Sequence, residues 1–549
     1  MPSFKVVEDR PTPKEVYNLR IWGCAAVAAS AAIMIGYDSA FVGGAITLKG
    51  FLKDFGTLDP NTSANLVTTY QAGAFFGAFM GYPLGFFAGR KWGLMTCALL
   101  FTIGSIVMIC ANGNTGLAPI YAGRAVAGLA IGAASSLAPT YISEISVASI
   151  RGQLVGLYEI GWQLGGIVGF FINYGVSLHI PISTRQWVVP FAVQIIPGGM
   201  LVLGCFFLVE SPRWLVSRGR NADAVRALSK LRKLDAMHPY MIEEMGEMEQ
   251  AYEKERGLLG GSTSFWAPFV QIFTTKSTLW RLVLGSSLFA FQNGTGINAI
   301  NYYSPTVFKS LGIVGANTGL LTTGIFGVIK TLGAFVWIWL LIDRIGRRKI
   351  LMTGSIGGAI CMLAIAIYIA VDKPASHSGQ GIDSAGRFSI ACFYIWTIFY
   401  GASWNGTPWV VGSEIFPMQS RSLGMVFMAA SNWLYNFAIA RATPVAFLNI
   451  GWGFYLIFAC LMFISVPWIF FMLPETKGIP LEKMDDLFKT RPVWRANEIV
   501  HASLAELHAA DFAAIERSQN RGGAGLESGS LGEEKNGSGE AVDSLTRDA

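Results

Sequence analysis

Long apolar runs recur along the chain and alternate with polar stretches. Twelve runs contain about 20 mostly apolar residues, enough for a helix to cross a bilayer core of about 30 Å. They begin near Ile21, Asn65, Leu94, Leu117, Leu154, Val188, Leu282, Thr318, Leu351, Phe388, Leu423 and Gly453. This pattern predicts an all-α membrane protein with 12 transmembrane helices.

The polar stretches divide the chain into five regions. These are residues 1–20, the first six spans in 21–208, a polar connection in 209–280, the second six spans in 281–473, and residues 474–549. The connection has apolar residues at helical spacing, which predicts amphipathic helices beneath the bundle. From about residue 519 the chain is rich in Gly, Ser and Glu, which predicts disorder.

Composition supports the membrane class and removes several others. Only 14% of the residues are charged, against about 25% in soluble proteins, and the mean hydropathy is +0.46. The net charge of +6 comes without a dense basic run, so nucleic acid is not expected as a partner. The seven cysteines have no CxxC spacing, so neither disulfides nor metal are expected.

Basic residues are sorted between the two sides of the predicted bundle. With the N-terminus in the cytosol, the inner loops and the connection hold 19 Lys and Arg, whereas the outer loops hold 6. Short cytosolic loops retain positive charge, so we expect both termini to be cytosolic.

Three charged motifs occur twice in the same order, once in each group of six spans. Arg151 follows Glu144 by seven residues, and Arg421 follows Glu414 at the same spacing. Gly-Arg pairs and Glu-containing motifs repeat likewise. The residues expected at a cytosolic gate are Arg90, Glu144, Arg151, Glu210, Arg213, Asp343, Arg344, Arg347, Glu414, Arg421 and Glu475. Routine anchoring at the membrane surface is the alternative. Duplicated six-helix halves are typical of carriers that rock about a central site.

Two ionisable residues in the outer half of the bundle form one candidate site. Asp38 lies in span one and Arg124 in span four, and a charge at membrane depth must be paired or hydrated. A desolvated carboxylate beside a cation can bind and release a proton. The sequence therefore predicts proton coupling by Asp38 and Arg124, with a static structural pair as the alternative.

A second charged group lies deeper in the two halves. Lys330 is 13 residues before Asp343, about 20 Å of helix, so its amine cannot reach the inner surface. Its expected partner is either Glu159 of span five or an anionic substrate, and the sequence leaves both open. Arg441, near an outer end, is expected to reach the interface.

Amides and aromatic side chains supply further candidate contacts. Amides donate and accept hydrogen bonds at once, which suits a ring of hydroxyl groups, and Trp offers a flat apolar face. The predicted substrate-binding residues are Glu159, Gln163, Gln292, Asn293, Asn298, Lys330, Trp409, Asn432 and Trp433.

Several sequence motifs resemble signatures of the sugar porters of the major facilitator superfamily. They include PTYISEISVASIRGQ, ESPRWL, QNGTGINAINYYSP, DRIGRRK, SEIFPMQSRSLG, SNWLYNF and PETKG, over roughly residues 15–485. VEDRPTPKEVYNLR and GYDSAF are similar to the fungal quinate permeases and related sugar-acid carriers. The resemblance implies two pseudo-symmetric six-helix halves with a cavity between them. It also implies that Asp38 and Arg124 occupy the proton-coupling positions, and that Gln292, Asn298, Trp409 and Asn432 match sugar-contacting positions.

Two departures from the sugar porter pattern bear on the substrate. Glu159 falls where neutral-sugar carriers have a Gln, and Asn293 replaces the second Gln of a pair. We therefore expect proton-coupled uptake of a polyhydroxylated acid resembling quinate or galacturonate. A neutral hexose or pentose symporter is the alternative, and a passive facilitator or a non-transporting nutrient sensor is less favoured.

The remaining expectations concern chemistry and setting. The chain has no GxSxG, HExxH, P-loop or suitably placed GxGxxG motif, so an enzyme is not expected. No cofactor is expected besides the coupling proton. The expected partners are a small sugar or sugar acid, protons and lipid, with the chain a monomer in the plasma membrane.

Overall fold

The structure is a computed structural model that describes residues 12–147, 150–258, 264–311, 316–341, 345–372, 383–416, 420–477, 479 and 484–503. Helices account for nearly all of the ordered elements in these ranges, and none of the described residues lies in a β-strand. The predicted N-terminal and C-terminal tails fall largely outside the described residues, as do Asp343 and Arg344 of the predicted gate.

Eight helices build the first half of the bundle. They are α1 (Leu19–Ala45), α2 (Lys49–Phe55), α3 (Pro60–Pro83), α4 (Arg90–Ile109), α5 (Ala118–Ile145), α6 (Arg151–His179), α7 (Arg185–Val193) and α8 (Ile195–Phe207). Side-chain N-caps fix where two of these helices, α1 and α3, begin. The Asn18 side chain accepts hydrogen bonds from two backbone N–H groups of α1, and Asp59 does the same for α3.

The other helices lie in the connection, residues 209–280, and in the second half of the bundle. The connection holds α9 (Pro212–Ser217), α10 (Asn221–Arg232), α11 (Pro239–Leu258) and α12 (Ala267–Thr274). The second half holds α13 (Lys276–Gly294), α14 (Ile297–Ser310), α15 (Ala316–Val336), α16 (Arg347–Asp372), α17 (Ser384–Gly401), α18 (Thr407–Ile415), α19 (Arg421–Asn449) and α20 (Trp452–Met472). A short α21 (Met484–Lys489) follows.

Nine helical segments of the described residues are long and apolar enough to cross a membrane. The other three predicted spans are α3, the pair α13 and α14, and the pair α17 and α18. α3 carries several polar side chains, and the two pairs are interrupted in mid-membrane, at residues 295–296 and 402–406. Broken helices are tolerated at membrane depth only where protein or a cavity satisfies the freed backbone groups. These breaks therefore mark the interior of the bundle.

The two halves touch closely at the end of the bundle that the predicted topology assigns to the outside. A Cβ atom on Gly43 of α1 would lie 1.8 Å from the backbone oxygen of Tyr302 in α14. Nearby, both terminal nitrogens of Arg441 lie 3.3 Å from Asn61 Oδ1, and Ser177 donates to Asn317 at 2.6 Å. The outer end is therefore closed in this conformation.

Gly43→Val is expected to prevent this closure, because its Cβ would overlap the backbone of α14. We expect a cysteine introduced at Ser39 in a cysteine-free background to become more reactive, about tenfold, toward a reagent applied from outside. Gly23→Val is the matched control on the same helix, since no atom lies within 4 Å of a Cβ built there. Equal labelling of the Gly43 and Gly23 variants would contradict the outer closure.

Candidate functional site

Asp38 and Arg124 form a fully buried ion pair between α1 and α5. Arg124 Nη1 lies 3.1 Å from Asp38 Oδ1, and neither side chain is exposed. Arg124 Nη2 also donates to the backbone oxygen of Val67 at 3.2 Å. Within the described part of the chain, Asp38 Oδ2 has no hydrogen-bond partner. One carboxylate oxygen is therefore held by the cation while the other is free to take a proton.

Aromatic contacts connect this pair to the second half of the bundle. The Arg124 guanidinium lies 5.1 Å from the centre of the Tyr70 ring. Tyr70 in turn meets Trp433 of α19 edge to face, with ring centres 5.8 Å apart. Trp433 Nε1 donates to Ser135 Oγ of α5 at 3.4 Å. The ion pair is therefore connected to α19 through the packed rings of Tyr70 and Trp433.

A second polar chain crosses the halves beside the ion pair. Asn436 Nδ2 donates to the Tyr302 hydroxyl at 3.3 Å. With the Gln71 amide oriented so that its oxygen faces the hydroxyl, Tyr302 donates to it at 3.1 Å. Sequence reasoning did not single out Tyr70, Gln71 or Asn436 as site residues. The available signal was the presence of Tyr and Gln together in an otherwise small-residue span, TTYQAGAF.

Glu159 contacts the break between α17 and α18. Its Oε1 accepts hydrogen bonds from Gln163 Nε2 at 2.7 Å and from Asn405 Nδ2 at 2.6 Å. Gln292 Nε2 donates to the backbone oxygens of Trp404 at 2.7 Å and Asn405 at 3.1 Å. Two predicted residues, Glu159 and Gln292, thus contact one interrupted helix, and a third, Gln163, contacts Glu159.

Lys330 is buried, with 5% of the residue exposed, and makes no ion pair with Glu159. Its Nζ lies 3.4 Å from Asn301 Oδ1 of α14. The rings of Phe170 and Phe326, which pack against each other, have their centres 5.9 and 5.7 Å from Nζ. Of the two partners that the sequence left open for Lys330, Glu159 is therefore not in contact with it in this conformation.

The remaining predicted amides form a cluster between α13, α14 and α19. Asn293 Nδ2 donates to Asn432 Oδ1 at 3.1 Å, and Asn298 Nδ2 donates to Asn293 Oδ1. Trp409 of α18 is half-buried and packs edge to face on Phe289, with ring centres 4.7 Å apart. Amide donors and an indole face therefore adjoin the helix break that Glu159 contacts.

At the cytosolic end, the repeated motifs form the same structure twice. Arg90 Nη2 lies 2.7 Å from Glu144 Oε1 in the first half, and Arg347 Nη2 lies 3.0 Å from Glu414 Oε1 in the second. Each pair joins helices of its own half. The charged pairs therefore stabilise the inner end of each six-helix unit.

Glu210 and Glu475 occupy equivalent positions in this repeat. Glu210 accepts from the backbone N–H groups of Arg90 and Lys91, and Glu475 accepts from those of Arg347 and Arg348. Burial raises the pKa of Glu210, although its backbone hydrogen bonds oppose that rise. Each carboxylate thereby secures the start of a membrane-spanning helix.

The other predicted gate residues are placed differently. Arg421 Nη2 donates to the backbone oxygen of Phe416 at 3.4 Å, which ties the start of α19 to the end of α18. Arg151 begins α6 and is half-buried. Arg213 is exposed on α9.

Comparison with known proteins gives concordant matches. Residues 24–488 match the family described as "Sugar (and other) transporter". Proteins named "Probable quinate permease" from Neosartorya fischeri and Aspergillus niger are 53% identical, over 92% of this chain and 94% of theirs. The proton:xylose symporter XylE bound to 6-bromo-6-deoxy-D-glucose has a TM-score of 0.70 at 25% identity, covering 86% of this chain and 99% of its own. A partially occluded inward-open form of XylE from E. coli has a TM-score of 0.67.

Reversing the charge of Glu414 is expected to loosen the inner end of the second half, because two like charges would replace the Arg347 ion pair that joins its helices. We expect a cysteine introduced at Gly156, which lies near Ile338 between the halves, to label about tenfold faster from the inside in Glu414→Arg. That ratio corresponds to about 1.4 kcal/mol.

Combining Glu414→Arg with Arg347→Glu is expected to restore the original labelling, because opposite charges again face each other. Glu498→Arg, an exposed residue on the same side, is the control. Unchanged labelling from both sides in Glu414→Arg would show that this ion pair does not set the conformation.

Proposed function

The chain belongs to the sugar transporter family of the major facilitator superfamily, and from this premise we propose that it takes up a polyhydroxylated acid together with protons. It is an integral membrane transporter and not an enzyme. The predicted fold, 12 transmembrane helices in two pseudo-symmetric halves, is confirmed by the family match and the solved relatives. The identity of the substrate and the coupling are the proposal.

The observation that carries the substrate class is a buried Lys330 with no carboxylate within ion-pair distance in the described residues, Glu159 attracting it only from farther away. A buried ammonium group is costly unless it is paired or hydrated, so an anionic ligand would stabilise it. Asn301, which contacts it, lies on the same helix as Asn298 of the amide cluster. An acid that carries a ring of hydroxyl groups offers a carboxylate to Lys330 and hydroxyls to the amides. The quinate permeases to which the chain is similar support this class.

Glu159 has a different role in this proposal. Its carboxylate already accepts two amide hydrogen bonds, and one of these comes from Asn405 in the other half. A substrate hydroxyl that replaced the Asn405 amide would release the broken helix from α6. Glu159 would thus sense substrate and help to hold the halves together in its absence.

Proton coupling rests on Asp38 and Arg124. When Asp38 is protonated, its charge no longer holds Arg124, and the guanidinium is free to alter its packing on Tyr70. When Asp38 is ionised, the pair re-forms. Protonation and substrate binding must both precede rocking for uphill transport, because a carrier responds to ligands only through their differential affinity for its two states. The similar fold of a proton:xylose symporter supports this coupling.

The setting completes the proposal. We place the carrier in the plasma membrane as a monomer with both termini in the cytosol, and with no cofactor besides the coupling proton. The distribution of Lys and Arg between inner and outer loops supports this orientation. A neutral hexose or pentose symporter remains the competing function.

Uptake of labelled quinate by a host that lacks the carrier tests the substrate class. We expect accumulation at acidic external pH, competition by galacturonate, and little competition by glucose or xylose. Lys330→Gln should lower quinate uptake by at least tenfold, because its amide cannot neutralise a carboxylate. Lys309→Gln, an exposed lysine at the end of α14, should behave like the wild type.

Neutral-sugar symport, the competing function, predicts the opposite result. A neutral-sugar symporter would accumulate glucose or xylose and ignore quinate, and Lys330→Gln would then report only on folding. Surface amounts of each variant, measured by labelling at an outer cysteine, separate loss of transport from loss of protein.

Asp38→Asn tests the coupling. The amide can still accept from Arg124, but it cannot carry a proton. We expect concentrative uptake to be abolished while exchange of labelled for unlabelled substrate across proteoliposomes continues. Asp59→Asn is the control, because Asn caps a helix about as well as Asp does. Normal accumulation by Asp38→Asn would exclude Asp38 as the coupling residue.

A further inference from the structure

A cavity of about 680 Å³ opens at the cytosolic end, away from the proposed transport site. Its walls come from the first residues of α4, the last residues of α8 and the short helices α9 and α10. Trp214 and Leu215 of α9 form part of the wall, and Trp214 Nε1 donates to the backbone oxygen of Phe86 beside it. The cavity therefore lies where membrane-spanning helices meet the cytosolic layer.

The cavity is lined by cations that outnumber its acids. Five basic side chains and two carboxylates face it. The basic residues are Arg20, Lys91, Arg220, Arg226 and Lys230, and the acids are Glu210 and Asp223.

Both acids are already occupied. The Glu210 carboxylate accepts backbone N–H groups from Arg90, Lys91 and Ser211. Asp223 is paired with Arg220 at 2.6 Å and with Arg226. In the described residues this leaves Arg20, Lys91 and Lys230 around the cavity without a carboxylate partner. The resulting excess of positive charge favours an anion as the ligand of the cavity.

The rim of the cavity is apolar on the side of the bundle. Phe206 and Phe207 end the membrane-spanning α8 and are 64% and 80% exposed, and Trp92 at the start of α4 is 55% exposed. Large apolar side chains at this depth contact acyl chains or the headgroup boundary rather than water. A soluble anion would use the cations and leave these rings without a partner.

We propose that this cavity binds the phosphate headgroup of an anionic phospholipid from the cytosolic leaflet. Lys91, Lys230 and Arg20 contact the phosphate, and Phe206, Phe207 and Trp92 contact the acyl chains. The site bears on conformation as well. The backbone of Lys91 is bonded to Glu210, and the preceding Arg90 forms the ion pair with Glu144. A bound headgroup therefore rests on the segment that fixes the inner end of the first half.

Native mass spectrometry of the detergent-purified full chain tests the proposal. The probes are dioctanoyl phosphatidylserine, dioctanoyl phosphatidylcholine, and glycerophosphoserine, which is the soluble headgroup without chains. We expect the wild type to bind one phosphatidylserine at least tenfold more tightly than phosphatidylcholine. Lys91→Gln with Lys230→Gln should weaken phosphatidylserine binding about 25-fold, because each cation near an anionic headgroup contributes about fivefold.

Two further variants keep the test independent of folding. Lys91→Arg with Lys230→Arg preserves both charges and should retain selective binding. Lys276→Gln removes an exposed lysine on the same side but outside the cavity, and should match the wild type. Equal binding of the two lipids by the wild type, or full binding by the double Gln variant, would overturn the site. Glycerophosphoserine binding as tightly as the lipid would overturn its assignment to phospholipid.

Discussion

Inside a bilayer every polar group has to find its partner within the protein, and this constraint organises the centre of the molecule. The break between α17 and α18 frees backbone oxygens at membrane depth, and Gln292 satisfies two of them. The side chain of Asn405, exposed by the same break, is in turn held by Glu159 from the other half. The break between α17 and α18 is therefore also a point at which the two halves are in contact.

The two charged groups obey the same constraint in different ways. Asp38 and Arg124 neutralise one another, yet within the part of the chain that the structure describes Oδ2 of the acid has no hydrogen-bond partner. Among the described residues, Lys330 contacts an amide oxygen and two aromatic rings, and Glu159 attracts it from beyond ion-pair distance. An incomplete set of partners is costly in a membrane, so in the proposed cycle Asp38 would receive the proton and Lys330 the anion. These two groups are thus the ones on which the proposed ligands would act.

Much of this arrangement follows from the sequence, and the rest depends on side-chain direction. The apolar runs and the repeated Glu and Arg motifs predicted the spans and the positions at which Arg90 and Arg347 lie. The motif pattern does not show which carboxylate each guanidinium reaches, so pairing within each half is seen only in the structure. Tyr70 and Gln71 could not be predicted from the sequence, because neutral polar side chains are common in such helices. They belong to the site because they point toward Trp433 and Tyr302.

The duplicated cytosolic structure explains where conformational change must occur. Gly89 and Gly346 have φ angles of +89° and +98°, and a Cβ on either would lie 2.6 Å from the carboxylate that its loop receives. A side chain there would expel Glu210 or Glu475, so glycine allows each half to be braced internally. Units braced in this way move as rigid bodies, and rocking must then break contacts between them.

Two of the contacts between the halves in the centre of the bundle are Glu159 with Asn405 and Tyr70 with Trp433. The first adjoins the proposed substrate site and the second adjoins the proposed proton site. In the proposed cycle both ligands would therefore act on one interface, which is the physical requirement for coupling them.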